Sequence, residues 1–158
     1  MKIRNHRLGF DDGSAVAFVT SPHTGPVIVP RFLVIHYTAG SSAAGAISWF
    51  QNPASKVSAH LVIARDGTVT QMVPFNRKAA HAGNSRWGNL SGMNQYSIGV
   101  ELDNAGLLVR SGGKWMSRLS RRSYPDSEVT VAVHKHDPPS SQPSGWHAYT
   151  PEQIEATL

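Results

Sequence analysis

A chain of 158 residues, 40% of them apolar, is long enough for one domain with a real core. It has no cysteine, which excludes disulfides, thiolate metal sites and a cysteine nucleophile together. The net charge of +5 favours an anionic partner, but the basic residues are scattered and only Arg118, Arg121 and Arg122 cluster, so nucleic-acid binding is not expected.

The N-terminus, Met1 to Arg7, is polar and lacks the apolar stretch of a secretory signal. No run approaches the ~18 apolar residues of a membrane span. A cytoplasmic protein without membrane contact is the simplest expectation. Residues 1–30 place turn signals (Asp11-Asp-Gly13, Ser21-Pro22, Gly25-Pro26) around short apolar pieces and read as an irregular lead-in. Phe32 to Ile35 is an unbroken apolar run ending in His36, which predicts a strand over 32–37 buried on both faces in the middle of an α/β sheet. Ser41 or Ser42 can cap a helix through Ala43 to Phe50, ended by Asn52-Pro53, with Ile47, Phe50 and Trp49 toward the core.

Residues 57–64 read as a second strand, Asp66-Gly67 as a tight hairpin turn, and Val69 to Val73 as the return strand. Residues 76–95, rich in Asn, Gly and Ser, read as a long surface loop, and loops of that length in a compact domain are usually functional. Tyr96 to Leu102 is another strand, leaving through Asp103-Asn-Ala-Gly106. Residues 107–146 change character: Gly112-Gly113, Arg121-Arg122 and the proline-rich stretch 137–143 frame a few apolar pieces, read as an insertion with one hairpin. Thr150-Pro-Glu-Gln153 is a helix start, with Thr150 as N-cap, Pro151 in the first helical position and Gln153 closing a capping box. Only about eight residues follow, roughly two turns, whereas isolated helices need ~12–15 residues to be marginal. A start signal without a stop signal predicts a cut chain.

Eight histidines supply the chemistry. His36, at the end of a core strand, stands where α/β folds present a metal ligand or a base. Glu101 shares a strand face with Ser97 and Gly99, which suits a general base as well as an exposed ion-pair partner. A lone His60 among small and apolar residues is more often a hydrogen-bonded core residue than a ligand. His81, between small residues in the long loop, suits either a substrate cleft or a plain turn. His134 and His136 stand two apart beside Asp137 and could share a strand face, although a solvated loop pair is the simpler reading. His6 and His23 read as surface residues, and His147 as a cap or packing residue before the last helix. A zinc hydrolase needs three protein ligands and an open water position, and no HExxH or close histidine pair completes such a set here.

Five segments in order resemble the type 2 N-acetylmuramoyl-L-alanine amidases, a superfamily of cytosolic anhydromuropeptide amidases, phage amidases and peptidoglycan recognition proteins. They are Leu33-Val-Ile-His-Tyr-Thr-Ala-Gly40, Val57 to Gly67, Val73-Pro-Phe75 with His81-Ala-Gly83, Asn94 to Leu102, and Tyr149 to Gln153. The resemblance implies an α/β domain, a mixed central β-sheet flanked by helices, that cuts the amide between N-acetylmuramic acid and L-alanine with zinc. It maps a zinc ligand onto His36 and a catalytic residue onto Glu101. His60, His81 and Asn104 map to the substrate side, with His81 bordering the cleft without being a ligand. Ala59 stands where the phage branch has its catalytic tyrosine, so the cytosolic branch fits better.

The other two ligands of that family follow the final helix, so this chain is expected to supply one ligand of three. The expectation is a single domain over 1–158 that lacks its C-terminal helix and ligand loop, with 107–146 as an insertion. Peptidoglycan fragments are the expected partners of a monomer, and another chain could complete the site. The alternative is a non-catalytic peptidoglycan-binding module.

Overall fold

The computed structural model describes residues 1–138 and 140–158. The chain opens with a hairpin, β1 (Lys2–Arg4) and β2 (Arg7–Gly9), whose turn residues Asn5 and His6 have positive φ. β3 (Ala17–Phe18), β4 (Phe32–Tyr37), helix α1 (Ala43–Gln51), β5 (Leu61–Ile63) and β6 (Val69–Gln71) follow. A small hairpin, β7 (Arg86–Trp87) and β8 (Leu90–Ser91), and one 3-10 turn (Met93–Gln95) lead into β9 (Ser97–Leu102). Then come β10 (Leu107–Ser111), β11 (Lys114–Ser117), β12 (Ser123–Tyr124), β13 (Val129–Ala132), β14 (Ser144–His147) and helix α2 (Pro151–Thr157).

The main sheet has the order β3-β6-β5-β9-β4 and is mixed. β4, β9 and β5 run parallel, β5 and β6 form the antiparallel Asp-Gly hairpin, and β3 joins β6 in parallel. Asp66 Oδ1 accepts from the Thr68 amide at 2.9 Å, and Gly67 takes the positive φ of +80° that the turn requires. One face of the sheet packs Ala59, Val62 and Met72 under Phe50 and Ile47 of α1. The other packs Val16, Ile63, Val69, Val100 and Leu102 with Ala156 of α2. Each fully buried aliphatic side chain of this kind contributes about 1.5–3 kcal/mol.

Both helices start as the sequence predicts. Ser42 caps α1 by accepting from the Gly45 amide at 3.1 Å. Thr150 and Gln153 close a capping box on α2. Gln153 has no exposed surface, and its Nε2 donates to the carbonyl of Asp103 at 2.9 Å. Its Oε1 accepts from Arg65 at 3.2 Å, while Thr150 Oγ1 donates to the Arg65 carbonyl at 2.6 Å. These contacts dock α2 on the β5–β6 turn, so the expectation of a domain lacking its C-terminal helix is corrected. Two turns suffice because docking, rather than intrinsic helicity, holds them.

Five further expectations are corrected. β4 lies at the sheet edge and not in its middle: burial alternates along it, leaving Leu33, Ile35 and Tyr37 about half exposed. Trp49 is 53% exposed and points away from the core. The lead-in supplies edge strand β3, and the loop over 76–95 contains β7 and β8. Residues 107–147 hold five strands in the antiparallel order β12-β11-β10-β14-β13, where one hairpin is expected. Their core is Leu108, Trp115 and Tyr124, with Trp115 packed over Gly145. Strands of two to five residues between Gly and Pro turns carry little periodicity, so only the long-range pairing reveals them. Of the proline-rich stretch 137–143, Pro139 lies outside the described residues.

Candidate active site

Parallel pairing of β4 with β9 sets His36 opposite Glu101, with Val34 opposite Gly99. Adjacent strands lie about 4.8 Å apart, so the imidazole and the carboxyl leave neighbouring backbones on one face of the sheet. His81 reaches the same face from the long loop. Asn94 Oδ1 holds that loop by accepting from the amides of His81 at 3.0 Å and Ala82 at 2.8 Å. Ser58 ties its other side, exchanging bonds with Ala80.

The His81 ring lies over Gly99, where a Cβ would collide with its Cγ. Gly99→Ala is therefore expected to displace His81 and to destabilise the fold by about 1–3 kcal/mol, the usual cost of overpacking. Urea denaturation, with the ring proton signals of His81 followed by NMR, checks both parts. An unshifted His81 in a stable variant would contradict the packing described.

Burial governs the electrostatics. Glu101 Oε2 is buried without a hydrogen-bond partner among the described residues, and desolvation raises its carboxyl to about 7. Burial lowers His36, and it pushes His60 and His81 down to about 4. For His81, the neighbouring His36 and His60 add to that effect. The phenol of Tyr149 is raised, first by burial and then by Tyr37 and Glu101. An open cleft of about 420 Å³ covers this region, lined among others by Tyr37, Ser42, Trp49, Phe50, His81 and Glu101.

The remaining residues singled out in the sequence sit apart from the cleft. His60 is fully buried, with Nε2 donating to the Arg77 carbonyl at 2.9 Å and Nδ1 accepting from the Gly99 amide at 3.0 Å. Asn104 is 2% exposed, and its amide group bonds to the His147 carbonyl and the Gly106 amide, both at 2.8 Å. It clasps the entry and exit of the second sheet. His147 is buried on Tyr124, with Nδ1 accepting from the Ala105 amide at 3.1 Å. His134 packs on Trp146 of the second sheet with ring centroids 5.5 Å apart, and His136 packs on His134 at the same separation.

Asn94, Ser97 and Tyr149 lie inside the ordered motifs, but their sequence positions assign them no role. Alternation along β9 puts Ser97 on the face of Glu101, but its contact with His81, like the bonds of Asn94 to the loop, is set only by long-range folding. Among the described residues, no group of three or more His, Asp, Glu or Cys could hold a metal ion. The residues present therefore do not make up a zinc site.

An α/β domain that sets a buried carboxyl, poised near neutral pH, beside imidazoles under an open cleft is equipped for hydrolysis by proton transfer. A family model described as N-acetylmuramoyl-L-alanine amidase matches residues 25–158, and the chain belongs to that family. N-acetylmuramoyl-L-alanine amidase A of Achromobacter lyticus is 41% identical over 91 residues, 57% of this chain and 45% of that protein. The 1,6-anhydro-N-acetylmuramyl-L-alanine amidase AmpD of Escherichia coli K12 is 34% identical over 84 residues, 50% of this chain and 46% of that protein. The chain thus spans about half the length of the curated relatives it matches.

Among solved structures, E. coli AmiD in complex with anhydro-N-acetylmuramic acid-L-Ala-D-gamma-Glu-L-Lys superposes with a TM-score of 0.54 at 25% identity, over 88% of this chain and 43% of that one. An AmpD selenomethionine derivative gives 0.51 at 27% identity, over 72% of each chain. These likenesses support the AmpD-like branch of the family. Among the described residues, no helix is long and apolar enough to cross a membrane.

Proposed function

We propose that this chain carries the substrate cleft and the acid–base group of an amidase that hydrolyses the bond between N-acetylmuramic acid and L-alanine in peptidoglycan or muropeptides. The observation that carries the reading is Glu101: a buried, unpartnered carboxyl oxygen under an open cleft, in a member of this family. A carboxyl near 7 exists in both forms at neutral pH. Its ionised Oε2 can take a proton from the attacking water, and the same oxygen can return it to the leaving amine. The substrate class is supported by the AmiD complex, whose ligand has the same sugar–alanine linkage.

The family resemblance makes zinc the expected cofactor, with His36 as this chain's one ligand of three. His81 borders the cleft in this reading. His60 and Asn104 act beneath it, holding the backbone of β9 and of the loop after it. A monomeric, cytoplasmic domain over 1–158 with 107–146 as an insertion belongs to the same proposal.

The incomplete ligand set favours one second reading, a muropeptide-binding module without turnover. Anhydromuropeptide incubated with the chain and zinc separates them. With one ligand of three, the chain alone is expected to lack normal activity, and chelator-sensitive release of the stem peptide that Glu101→Gln abolishes would support the amidase reading. Saturable binding without release would establish the module. Calorimetric zinc titration is expected to show binding weaker than micromolar. Tighter one-to-one binding that His36→Ala removes would mean that other residues of this chain supply the missing ligands.

A further inference from the structure

Four groups form a hydrogen-bonded line beneath the cleft. Ser97 Oγ contacts the Met93 carbonyl at 2.7 Å, His81 Nε2 lies 3.2 Å from Ser97 Oγ, and His81 Nδ1 lies 2.9 Å from His36 Nε2. Counting donors sets every proton in this line. A carbonyl only accepts, so the single Ser97 hydroxyl proton goes to Met93. Ser97 Oγ must then accept from His81, which puts that ring's proton on Nε2. The Nδ1 of neutral His81 is left as a bare acceptor, and His36 must donate to it from Nε2.

We infer that Ser97 and His81 are positioning residues that hold His36 as its Nε2–H tautomer and leave Nδ1 as the one free lone pair of His36. A neutral imidazole in solution exchanges between two tautomers, and the bond made at one nitrogen decides what the other can do. Here the decision is made three residues along the line, at the Met93 carbonyl in the 3-10 turn before β9. The line is kept rigid at three points. Asn94 fixes the His81 backbone, Gly99 leaves room for its ring, and Ser97 has no exposed surface. Among the described residues, Nδ1 of His36 has no hydrogen-bond partner of its own.

This inference rests on the reading of His36 as a functional residue, but its test does not need turnover. Long-range nitrogen–proton NMR of the full chain, with nitrogen-15 in its histidines and at a pH where both rings are neutral, reports each tautomer directly. In the native protein, His36 and His81 are both expected as Nε2–H. In Ser97→Ala, the acceptor for His81 Nε2 is gone, the His81 proton can move to Nδ1, and His36 is expected to shift toward its Nδ1–H form. A native His36 found as Nδ1–H, or averaging between tautomers, overturns the inference even if no variant folds. So does an unchanged His36 in a folded Ser97→Ala protein. Loss of stem-peptide release with tautomers as expected would instead count against the amidase reading alone.

Discussion

Glu101→Gln is expected to turn a shallow pH profile of stability into a steep one. In the folded chain, His60 and His81 stay neutral down to about 4, whereas unfolded histidines take up protons near 6.5. Below 6.5 the unfolded state binds more protons, so stability falls with falling pH through this window. Each gap of about 2.5 units corresponds to at most about 3.4 kcal/mol. Glu101 acts in the opposite direction. Folded, it keeps its proton up to about 7; unfolded, it loses it near 4.5. Between those values the folded state binds more protons, and stability rises as pH falls.

In the wild type, Glu101 therefore cancels about one histidine, leaving a net loss of about 3 kcal/mol between pH 6.5 and 4. Glutamine keeps the shape and removes the titration. The variant is expected to lose about 6 kcal/mol over the same range and to exceed the wild type by about 3 kcal/mol at pH 8. His36, whose value burial also lowers, adds to the acid loss in both proteins and does not affect the difference. Urea midpoints from pH 4 to 8 would decide this. Parallel profiles would mean that Glu101 is solvated and unsuited to the proton transfer proposed for it.

Gln153→Ala is expected to cost about 4 kcal/mol and to release α2 from the sheet. The side chain has no exposed surface and joins three elements. It donates to the carbonyls of Asp103 and Ile63, and it accepts from the Thr150 amide and from Arg65. Its loss strands the buried Asp103 carbonyl, at about 1–3 kcal/mol for such a group, and opens a cavity that adds a further cost. Gln153→Met fills much of the volume without hydrogen-bonding the two carbonyls, so comparable destabilisation would assign the effect to the lost hydrogen bonds rather than to the cavity. Hydrogen exchange of the α2 amides tests the release. Protection unchanged in either variant would show that Ala156 packing and the Thr150 bond to the Arg65 carbonyl hold the helix without Gln153.

Much of the helix punctuation was legible in the chain. Ser42, Asn52 and the Thr150 box act through neighbours within a few residues, so local chemistry announces them. The same holds for the Asp66-Gly67 turn and for the alternation that puts Ser97, Gly99 and Glu101 on one face of β9. The five ordered motifs also pointed to the amidase family. The edge position of β4 was not legible, because an apolar run does not say how many partners a strand finds. Nor was the second sheet, whose short strands are defined by pairings such as Thr130 with Trp146.

At the candidate site, the sequence by itself determined the residue types: a histidine closing an apolar strand, a carboxyl among small residues, and a histidine in a glycine-rich loop. Only the tertiary structure decided what each of them can do. Parallel register set His36 beside Glu101, burial poised the carboxyl and silenced His60, and the Ser97 hydroxyl aligned His81 against His36. The physical reason is that residue type and local propensity act over a few bonds. Desolvation and hydrogen-bond direction depend on which distant segments close around a group, and that is set when β4, β9 and the 76–95 loop meet.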